Sequence, residues 1–596
     1  MRGIKVESKV LAQIASVGVL LKVPFFQREY VWDKEEWERL VEDVADMLAQ
    51  NTPYFFGALM FKNEELGPAG TRYGPDAGFS SAYLIVDGQQ RLTSFVLLLK
   101  AAASLDLTGR AETEFRRMFI QGPRAEHRDG TPRIVHNHVD REAFERIVLM
   151  NPERPVDTEE DTSRIVRAYQ FFRTRLSELA RDPARPSAID LRRLRALATF
   201  TVITTGDGDE QRIYDATNSL GMRLSGSDLL KNYLFMDASQ ETEYDRTWGD
   251  MFERNGEREE YWYGSSRRPL IDVFFQALLQ MLIAERDRGT DDAAPQAAVS
   301  AGERERFAKP ETLFQSYRTF LERFYYTNLP EPERKRKLLS AVMDYAGTFM
   351  ETIRPDVLTA PSGCDPLDRL SIIIFGMDYW TIVPYVLSIA RNVPSEADRT
   401  QMYAILESYL VRRIFTRART NSYGRIFRSM VYRGINTPDA LREQIMDMGT
   451  QSALQADDDA IRKMAECVFY DKRLTLVMYL LETALADRQG MVPGGPSEYA
   501  CDILRAAPLR NAARRTRRSE AGELGNAFLA RGSTGQLRGV RVPGSADRSL
   551  VPPGAAGLPT LRDFAEERAW DAHTIRERTE AMVRDMIRIW PAVPGS

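Results

Sequence analysis

The sequence predicts an α+β fold in three parts: a mixed N-terminal domain over residues 1–235, a helical middle domain over 236–488 and a small C-terminal domain over 489–596. Three observations carry this expectation. Up to residue 235, short apolar runs such as Tyr83-Leu84-Ile85-Val86 alternate with stretches of helical spacing. From there to about 488, apolar residues recur at helical spacing with few strand signals. Beyond Gln489-Gly490, Gly, Pro, Ala and Arg dominate and the periodicity disappears until about Leu561. A chain of 596 residues also exceeds what one hydrophobic core normally supports.

The elements follow in chain order. Asp33 and Glu36 have capping-box spacing ahead of Trp37, Leu40, Val41, Val44 and Leu48, which predicts an amphipathic helix entered from the Gln27–Trp32 segment. Tyr54 to Met60 reads as a strand. The run Tyr83–Val86 reads as another, ending at Asp87-Gly88-Gln89-Gln90-Arg91, after which Leu92, Phe95, Val96 and Leu99 fall on one helical face. Gly88 lets the backbone turn, and the helix begins with its free N–H groups exposed. Such a terminus attracts anions. There the Asp87 carboxylate suits a divalent metal, and Arg91 suits a phosphate held through two hydrogen bonds. The plainer alternative is a turn in which Asp87 caps the helix and the glutamines face water. The polar stretch 105–165 contains a literal His136-Asn137-His138. A metal-finger nuclease spreads those groups over a hairpin and helix, so the expectation here is a polar loop ahead of a helix.

In the helical region, Arg286–Arg306 reads as an exposed loop. Further on, Arg412, Arg413, Arg417, Arg419, Arg425, Arg428 and Arg433 occur without one intervening acidic residue, interleaved with Phe415, Tyr423, Phe427 and Tyr432. Uncompensated arginines suggest phosphate contacts; pairing with acidic residues elsewhere in the fold is the alternative. In the tail, Trp570–Arg578 opens a helix that ends near Ile589-Trp590-Pro591.

Four stretches between residues 23 and 232 resemble, in order, the signature of the DUF262 family, the ParB/sulfiredoxin-like N-terminal module of prokaryotic modification-dependent restriction proteins. They are Val23-Pro24-Phe25-Phe26-Gln27-Arg28-Glu29-Tyr30-Val31-Trp32, then Tyr54–Met60 with its Phe-x-Gly, then Asp87–Arg91. The last is Asn218-Ser219-Leu220-Gly221-Met222-Arg223-Leu224-Ser225 with Asp228-Leu229-Leu230-Lys231-Asn232. The tail resembles the last helix of DUF1524, the HNH-type nuclease module usually found behind it, and Leu524-Gly525-Asn526 is similar to that module's Gly-Asn-Leu segment. The layout is similar to SspE-type phosphorothioation-sensing nucleases and to GmrSD-type type IV restriction enzymes. The resemblance implies a ParB-like first domain that hydrolyses GTP or ATP with Mg2+ or Mn2+. In it Asp87, Gln89, Gln90 and Arg91 would be catalytic, Asp87 also holding the metal. Gln27, Arg28, Gly88, Asn218 and Lys231 would bind the nucleotide, and Phe25, Phe26, Tyr30 and Trp32 would sense the DNA modification. It further implies an antiphage protein acting on double-stranded DNA, with Arg412, Arg413, Arg417, Arg419 and Arg425 touching the phosphates and a homodimer as one open assembly. Phosphorothioate sensing followed by nicking is the first expectation. Restriction of glucosylated or hydroxymethylated cytosine, and a DNA-binding NTPase without nuclease activity, are the alternatives.

Composition narrows the rest. A net charge of −4 is too small for the whole surface to bind nucleic acid, so any DNA contact is local. The three cysteines, Cys364, Cys467 and Cys501, form no CxxC pair, which points to a reducing, cytoplasmic setting and away from a zinc ribbon. No P-loop, His-Glu-x-x-His or Gly-x-Ser-x-Gly pattern occurs. Where DUF1524 carries Glu-His-x-x-Pro, this chain has Cys501-Asp502-Ile503-Leu504-Arg505-Ala506-Ala507-Pro508, and no histidine lies between His138 and His573. A one-metal HNH site needs imidazoles to hold the metal and activate water. The module is therefore expected to be degenerate, or read from a shifted frame over about 505–560. In the degenerate case Arg510, Arg514, Arg515, Arg517 and Arg518 would serve as a phosphate patch.

Overall fold

The apolar run before Asp87 becomes an inner strand of a six-stranded mixed sheet. The computed structural model describes residues 5–14, 16, 18–27, 29–67, 73, 75, 78–106, 108–121, 130–150, 163–181, 190–205, 225–235, 240–253, 256–264, 268–289, 298–359, 365–447, 456–469, 471–486, 495–503, 523–531, 558–564 and 572–593. These fall in two compact units, Met1–Arg246 and Thr247–Ser596.

In the first unit, β1 (Lys5–Val10), α1 (Leu11–Ile14), β2 (Val19–Lys22), α2 (Lys34–Gln50), β3 (Tyr54–Glu64), β4 (Ser81–Asp87) and α3 (Gln89–Leu105) come first. They are followed by α4 (Arg110–Phe119), β5 (Ile120–Gln121), β6 (Thr131–Pro132), β7 (Ile134–Val135), α5 (His138–Leu149), α6 (Arg164–Ala180), α7 (Leu191–Leu197), β8 (Ala198–Thr205) and α8 (Gly226–Leu234). The sheet order is β1-β8-β3-β4-β2-β7. β1 pairs antiparallel to β8 and β3 antiparallel to β4, while β3/β8, β2/β4 and β2/β7 are parallel.

The capping box ahead of α2 forms as the spacing predicts. Asp33 accepts from Glu35 N, Glu36 accepts from Asp33 N, and the five anticipated apolar residues are all buried. α3 differs from expectation in degree. The spacing predicts one apolar face, Leu92, Phe95, Val96 and Leu99, yet Leu92 through Ala103 are buried without interruption. A helix buried on every side lies inside a core, and α3 packs against α4, α5, α6 and α7. Its one buried cation, Lys100, donates to both Glu112 carboxylate oxygens and to Met150 O.

The second unit is helical for most of its length, from Gly256–Tyr263 to Lys472–Ala486. Part of the anticipated Arg286–Arg306 loop is instead helical: Leu270–Asp287 covers its start, and Ala301–Phe307 is capped by Ser300 with Glu303 in a reciprocal capping box. The described C-terminal segments belong to this same unit. Tyr499–Ile503 and Ala527–Arg531 pair antiparallel, and the anticipated tail helix spans Ala572–Ile589. Arg578, fully buried, joins these pieces by donating to Gly525 O, Ala527 O and Thr560 O, while Glu482 accepts from Thr560 N. Gly525 sits so close to that helix that a Cβ would lie 2.0 Å from Ile575 O. Leu504–Pro508 and the arginines at 510, 514, 515, 517 and 518 lie outside the described residues. Among the described residues, no helix is long and apolar enough to cross a membrane.

Candidate functional site

The site is built where β4 stops. Asp87 is its last residue and is half-buried. Gly88 follows with φ +88°, and a Cβ there would lie 2.4 Å from Leu59 Cδ2, so the turn needs glycine on two counts. α3 then begins with no side chain capping its first turn and no acidic residue in it. That leaves the positive end of a helix beside Asp87.

Arg91 lies one turn into α3. Its Nη1 donates to Ala58 O at 2.7 Å. Gly57, at φ +103°, makes room: a Cβ there would lie 3.0 Å from the Arg91 guanidinium carbon. The Phe-x-Gly strand and the Asp87–Arg91 turn are thus complementary surfaces. Burial draws the Arg91 pKa below its ordinary value, and neighbouring Asp87 acts in the opposite direction. The result is a partly desolvated guanidinium held near a carboxylate and a helix N-terminus, where a charge acts more strongly than in water.

The two glutamines do not face water, which removes the plainer alternative. Gln89 is 2% exposed. Gln90 holds a distant loop: its Oε1 accepts from Val31 N at 2.8 Å and Trp32 N at 3.3 Å, and its Nε2 donates to Glu29 O at 2.9 Å. Gln90 therefore acts on the backbone of the first motif, which replaces the expected contact with phosphate or water.

The same loop is held from its other side. Asn137 donates to Gln27 O at 2.8 Å, and Asp140 accepts from Tyr30 N at 2.7 Å. Asn137 also caps α5 by accepting from Asp140 N. The anticipated polar loop before a helix is present, and it doubles as a clamp that the sequence reading missed. His136 is buried beneath it, with Nε2 3.1 Å from Thr93 Oγ1 and Nδ1 3.9 Å from Asp140 Oδ2. Burial pushes the His136 pKa down to about 3 and the Asp140 pKa up to about 6.

The aromatic residues of the first motif divide. Tyr30 is 1% exposed and is the second link of a directed chain of hydrogen bonds. Trp37 Nε1 donates to Tyr30 Oη at 2.8 Å; the Ser94 hydroxyl gives its one proton to Gln90 O at 2.8 Å, so in the 2.5 Å contact between the two hydroxyls Tyr30 donates to Ser94 Oγ. Phe26 is buried, and Trp32 packs partly buried against the main core. For Tyr30 and Phe26 the structure corrects the expectation of an open apolar pocket: both are interior groups that support the loop. Phe25, half-buried, packs edge-on against Phe26 and Tyr244, and Phe235 at the end of α8 packs on the same Tyr244. Phe25 and Phe235, which lies just past the closing motif, thus share Tyr244 as a neighbour. Lys231 on α8 is buried, with its Nζ 3.9 Å from Asp228. Gln27 is half-buried beside the Asn137 clamp, while Arg28 and Asn218 lie outside the described residues.

In the second unit the expected phosphate-binding arginines also divide. Arg412 and Arg413 are each 2% exposed. Arg412 donates to Ala456 O, Trp590 O and Asp458, and Arg413 to Arg419 O and Tyr423 Oη. The structure corrects the DNA-contact expectation for these two, because their guanidinium groups are spent on interior oxygens. Arg417 pairs with Asp471 at 2.5 Å, the alternative the sequence left open. Arg419 and Arg425 are exposed. Among the described residues, no group of three or more His, Cys, Asp or Glu is placed to hold a metal ion.

Three of the four motifs are thus physically joined: the first to the third through Gln90, the second to the third through Arg91 and Gly57. No curated protein matches the chain. Residues 8–235, which contain all four motifs, match the family model described as the GmrSD restriction endonuclease, N-terminal domain, and on that match the first unit is similar to that of a GmrSD-type restriction protein.

Proposed function

We propose that this chain is an antiphage restriction protein whose first unit binds and hydrolyses a nucleoside triphosphate, GTP or ATP, at the Asp87–Arg91 corner. One observation carries the reading: a carboxylate, an uncapped helix N-terminus and a partly buried guanidinium converge at one strand-to-helix turn. In this reading the first-turn N–H groups of α3 receive a phosphate, and Arg91 stabilises charge developing on the transferred phosphoryl group. Asp87 positions the metal or the attacking water, and Gln89, buried at the start of α3, supports the turn from beneath. Gln90, Asn137 and Asp140 are positioning residues that fix the loop carrying Gln27 and Arg28, while Lys231 contributes charge on the nucleotide side.

The residues fit a magnesium or manganese ion delivered with the triphosphate. Such an ion needs only one or two protein carboxylates because water and phosphate oxygens complete its shell, and Asp87 provides one. When bound, the ion supplies charge neutralisation at the phosphates.

The family match favours type IV restriction of glucosylated or hydroxymethylated cytosine over phosphorothioate sensing. The burial of Tyr30 and Phe26 points the same way, since it leaves less of an apolar pocket for sulfur. The experiment compares triphosphate hydrolysis by the full chain with plain, glucosylated, hydroxymethylated and phosphorothioated duplexes. Stimulation by a glucosylated or hydroxymethylated duplex supports the reading. Stimulation by phosphorothioated DNA alone reverses the choice of modification. Absence of hydrolysis under every condition refutes the nucleotide assignment. Nicking of supercoiled plasmid with Mg2+ or Mn2+ separates a nuclease from a DNA-binding NTPase.

A further inference from the structure

Two cavities of the second unit adjoin through one arginine. The larger, about 640 Å3, is lined by Glu305, Arg419, Asn421, Ser422, Gly424, Arg425 and Arg428. Three arginines against one glutamate leave it two positive charges in excess. Arg428 is the only one of the three with a carboxylate partner among the described residues, Glu305 at 2.9 Å. Arg419 and Arg425 are exposed and form no ion pair among the described residues. The floor of this cavity is the start of the eleven-residue helix Tyr423–Arg433, which has no side-chain cap and no acidic residue in its first turn. Gly424 keeps that start accessible, with only Arg428 Nη1 at 3.1 Å and Thr381 Cγ2 at 3.7 Å near the place of a Cβ.

The smaller cavity, about 120 Å3, has a different chemistry. Val273, Ala277, Ala308, Pro310, Trp380 and Pro384 give it apolar walls, and Arg428 stands at its border with the first. Arg268, Gln276, Gln280 and Thr381 also line it. The Gln276 Nε2 donates to Phe307 O at 3.1 Å, while its Oε1 is buried with no hydrogen-bond partner.

From this pairing we infer that the second unit carries a nucleotide site, with the phosphate in the arginine chamber and the base in the apolar chamber against Trp380. Arg419, Arg425 and the helix N-terminus meet the phosphate. Arg428, already held by Glu305, sits between phosphate and base. Gln276, its Nε2 held by Phe307 O, lines the base chamber. Together the chambers fall in the range of roughly 300–1,000 Å3 typical of small-ligand sites. The site is separate from the Asp87–Arg91 corner and stands without the function proposed for it. The nucleotide comes either from solution or from an unpaired DNA end, since both present the same phosphate and base.

The test uses the full chain with Arg91→Ala as background, so that the first unit's proposed site contributes least. The probes are AMP, adenosine and inorganic phosphate, read by calorimetry and by hydrogen exchange of peptides covering 376–384 and 419–433. AMP is expected to bind at least tenfold more tightly than either fragment and to slow exchange in both peptides. Arg419→Ala with Arg425→Ala is expected to weaken AMP and phosphate at least tenfold; both residues are exposed, so the fold is spared. Thr381→Trp, which fills the apolar chamber from an exposed position, is expected to weaken AMP and leave phosphate unchanged. Displacement of AMP by a 5′-phosphorylated single-stranded decamer assigns the site to a DNA end, and no displacement assigns it to a free nucleotide. Unprotected peptides, or a double arginine variant that binds AMP like its parent, overturn the inference.

Discussion

Replacing Gln90 by Ala removes the three hydrogen bonds that tie the first motif to α3: those from Val31 N at 2.8 Å and Trp32 N at 3.3 Å, and that to Glu29 O at 2.9 Å. A hydrogen bond contributes about 1 kcal/mol net, and a buried group left without a partner costs about 1–3 kcal/mol. Val31 and Trp32 are only half-buried, so water can reach part of the vacated space. The expected loss is therefore about 2–3 kcal/mol, a fall of roughly 4–12 °C in the melting temperature of the first unit. Gln90→Glu keeps the acceptor and drops the donor, so it should fall between Ala and the native residue. Calorimetry gives the shift, and hydrogen exchange locates it: the Val31 and Trp32 amides should exchange faster, while the Tyr30 amide stays protected by Asp140. A Gln90→Ala chain with native melting and unchanged exchange at Val31 and Trp32 would show that the clamp does not hold the loop.

Three further outcomes follow from the same geometry. The native His136–Asp140 pair carries one proton between about pH 3 and pH 6, whichever residue holds it, and in the unfolded chain the two ordinary pKa values give one proton between about pH 4 and pH 6.5. The pair's contribution to stability is then flat from pH 6 to pH 4 and is lost below pH 4, where the unfolded chain takes up the second proton first. His136→Gln leaves the raised Asp140 alone, so stability should rise by about 3 kcal/mol on lowering the pH from 6 to 4 relative to the native chain; parallel pH profiles of urea unfolding would contradict this. Gly57→Ala forces a side chain into positive φ and presses on the Arg91 guanidinium, and should cost about 1–3 kcal/mol and lower hydrolysis more than Gly109→Ala, where a Cβ meets nothing within 4 Å. Arg578→Met strands the buried Gly525, Ala527 and Thr560 carbonyls and should destabilise the second unit by about 3–5 kcal/mol, with exchange rising first over 524–531.

The features legible in the sequence were those written in local spacing. The run Tyr83–Val86, the glycine at 88 and the apolar recurrence from Leu92 gave strand, turn and helix where they occur. Asp33 and Glu36 gave the start of α2. The Ser300–Glu303 capping box was equally local and was hidden by the polar composition around it. The clamps on the first motif were not legible, because a side-chain bond to a backbone atom 59 or 110 residues away leaves no periodic trace. Buried arginines fail for a related reason. Charge reads as surface, and nothing near Arg412 shows that the Trp590 carbonyl, 178 residues on, will accept its proton. The division of the aromatic cluster depended on the same kind of distant partner, Ser94 for Tyr30 and Tyr244 for Phe25.

The most direct test of the nucleotide corner is steady-state hydrolysis of GTP and ATP by Arg91→Ala and Arg91→Lys, measured with Mg2+ beside the native chain and with melting curves to confirm the fold. Arg91→Ala loses the bond to Ala58 O and the buried guanidinium together, while Arg91→Lys keeps the charge and loses the planar fork. The account predicts a folded Arg91→Ala chain with kcat reduced at least a hundredfold and an Arg91→Lys chain partly restored. Native kcat in a folded Arg91→Ala chain would contradict it.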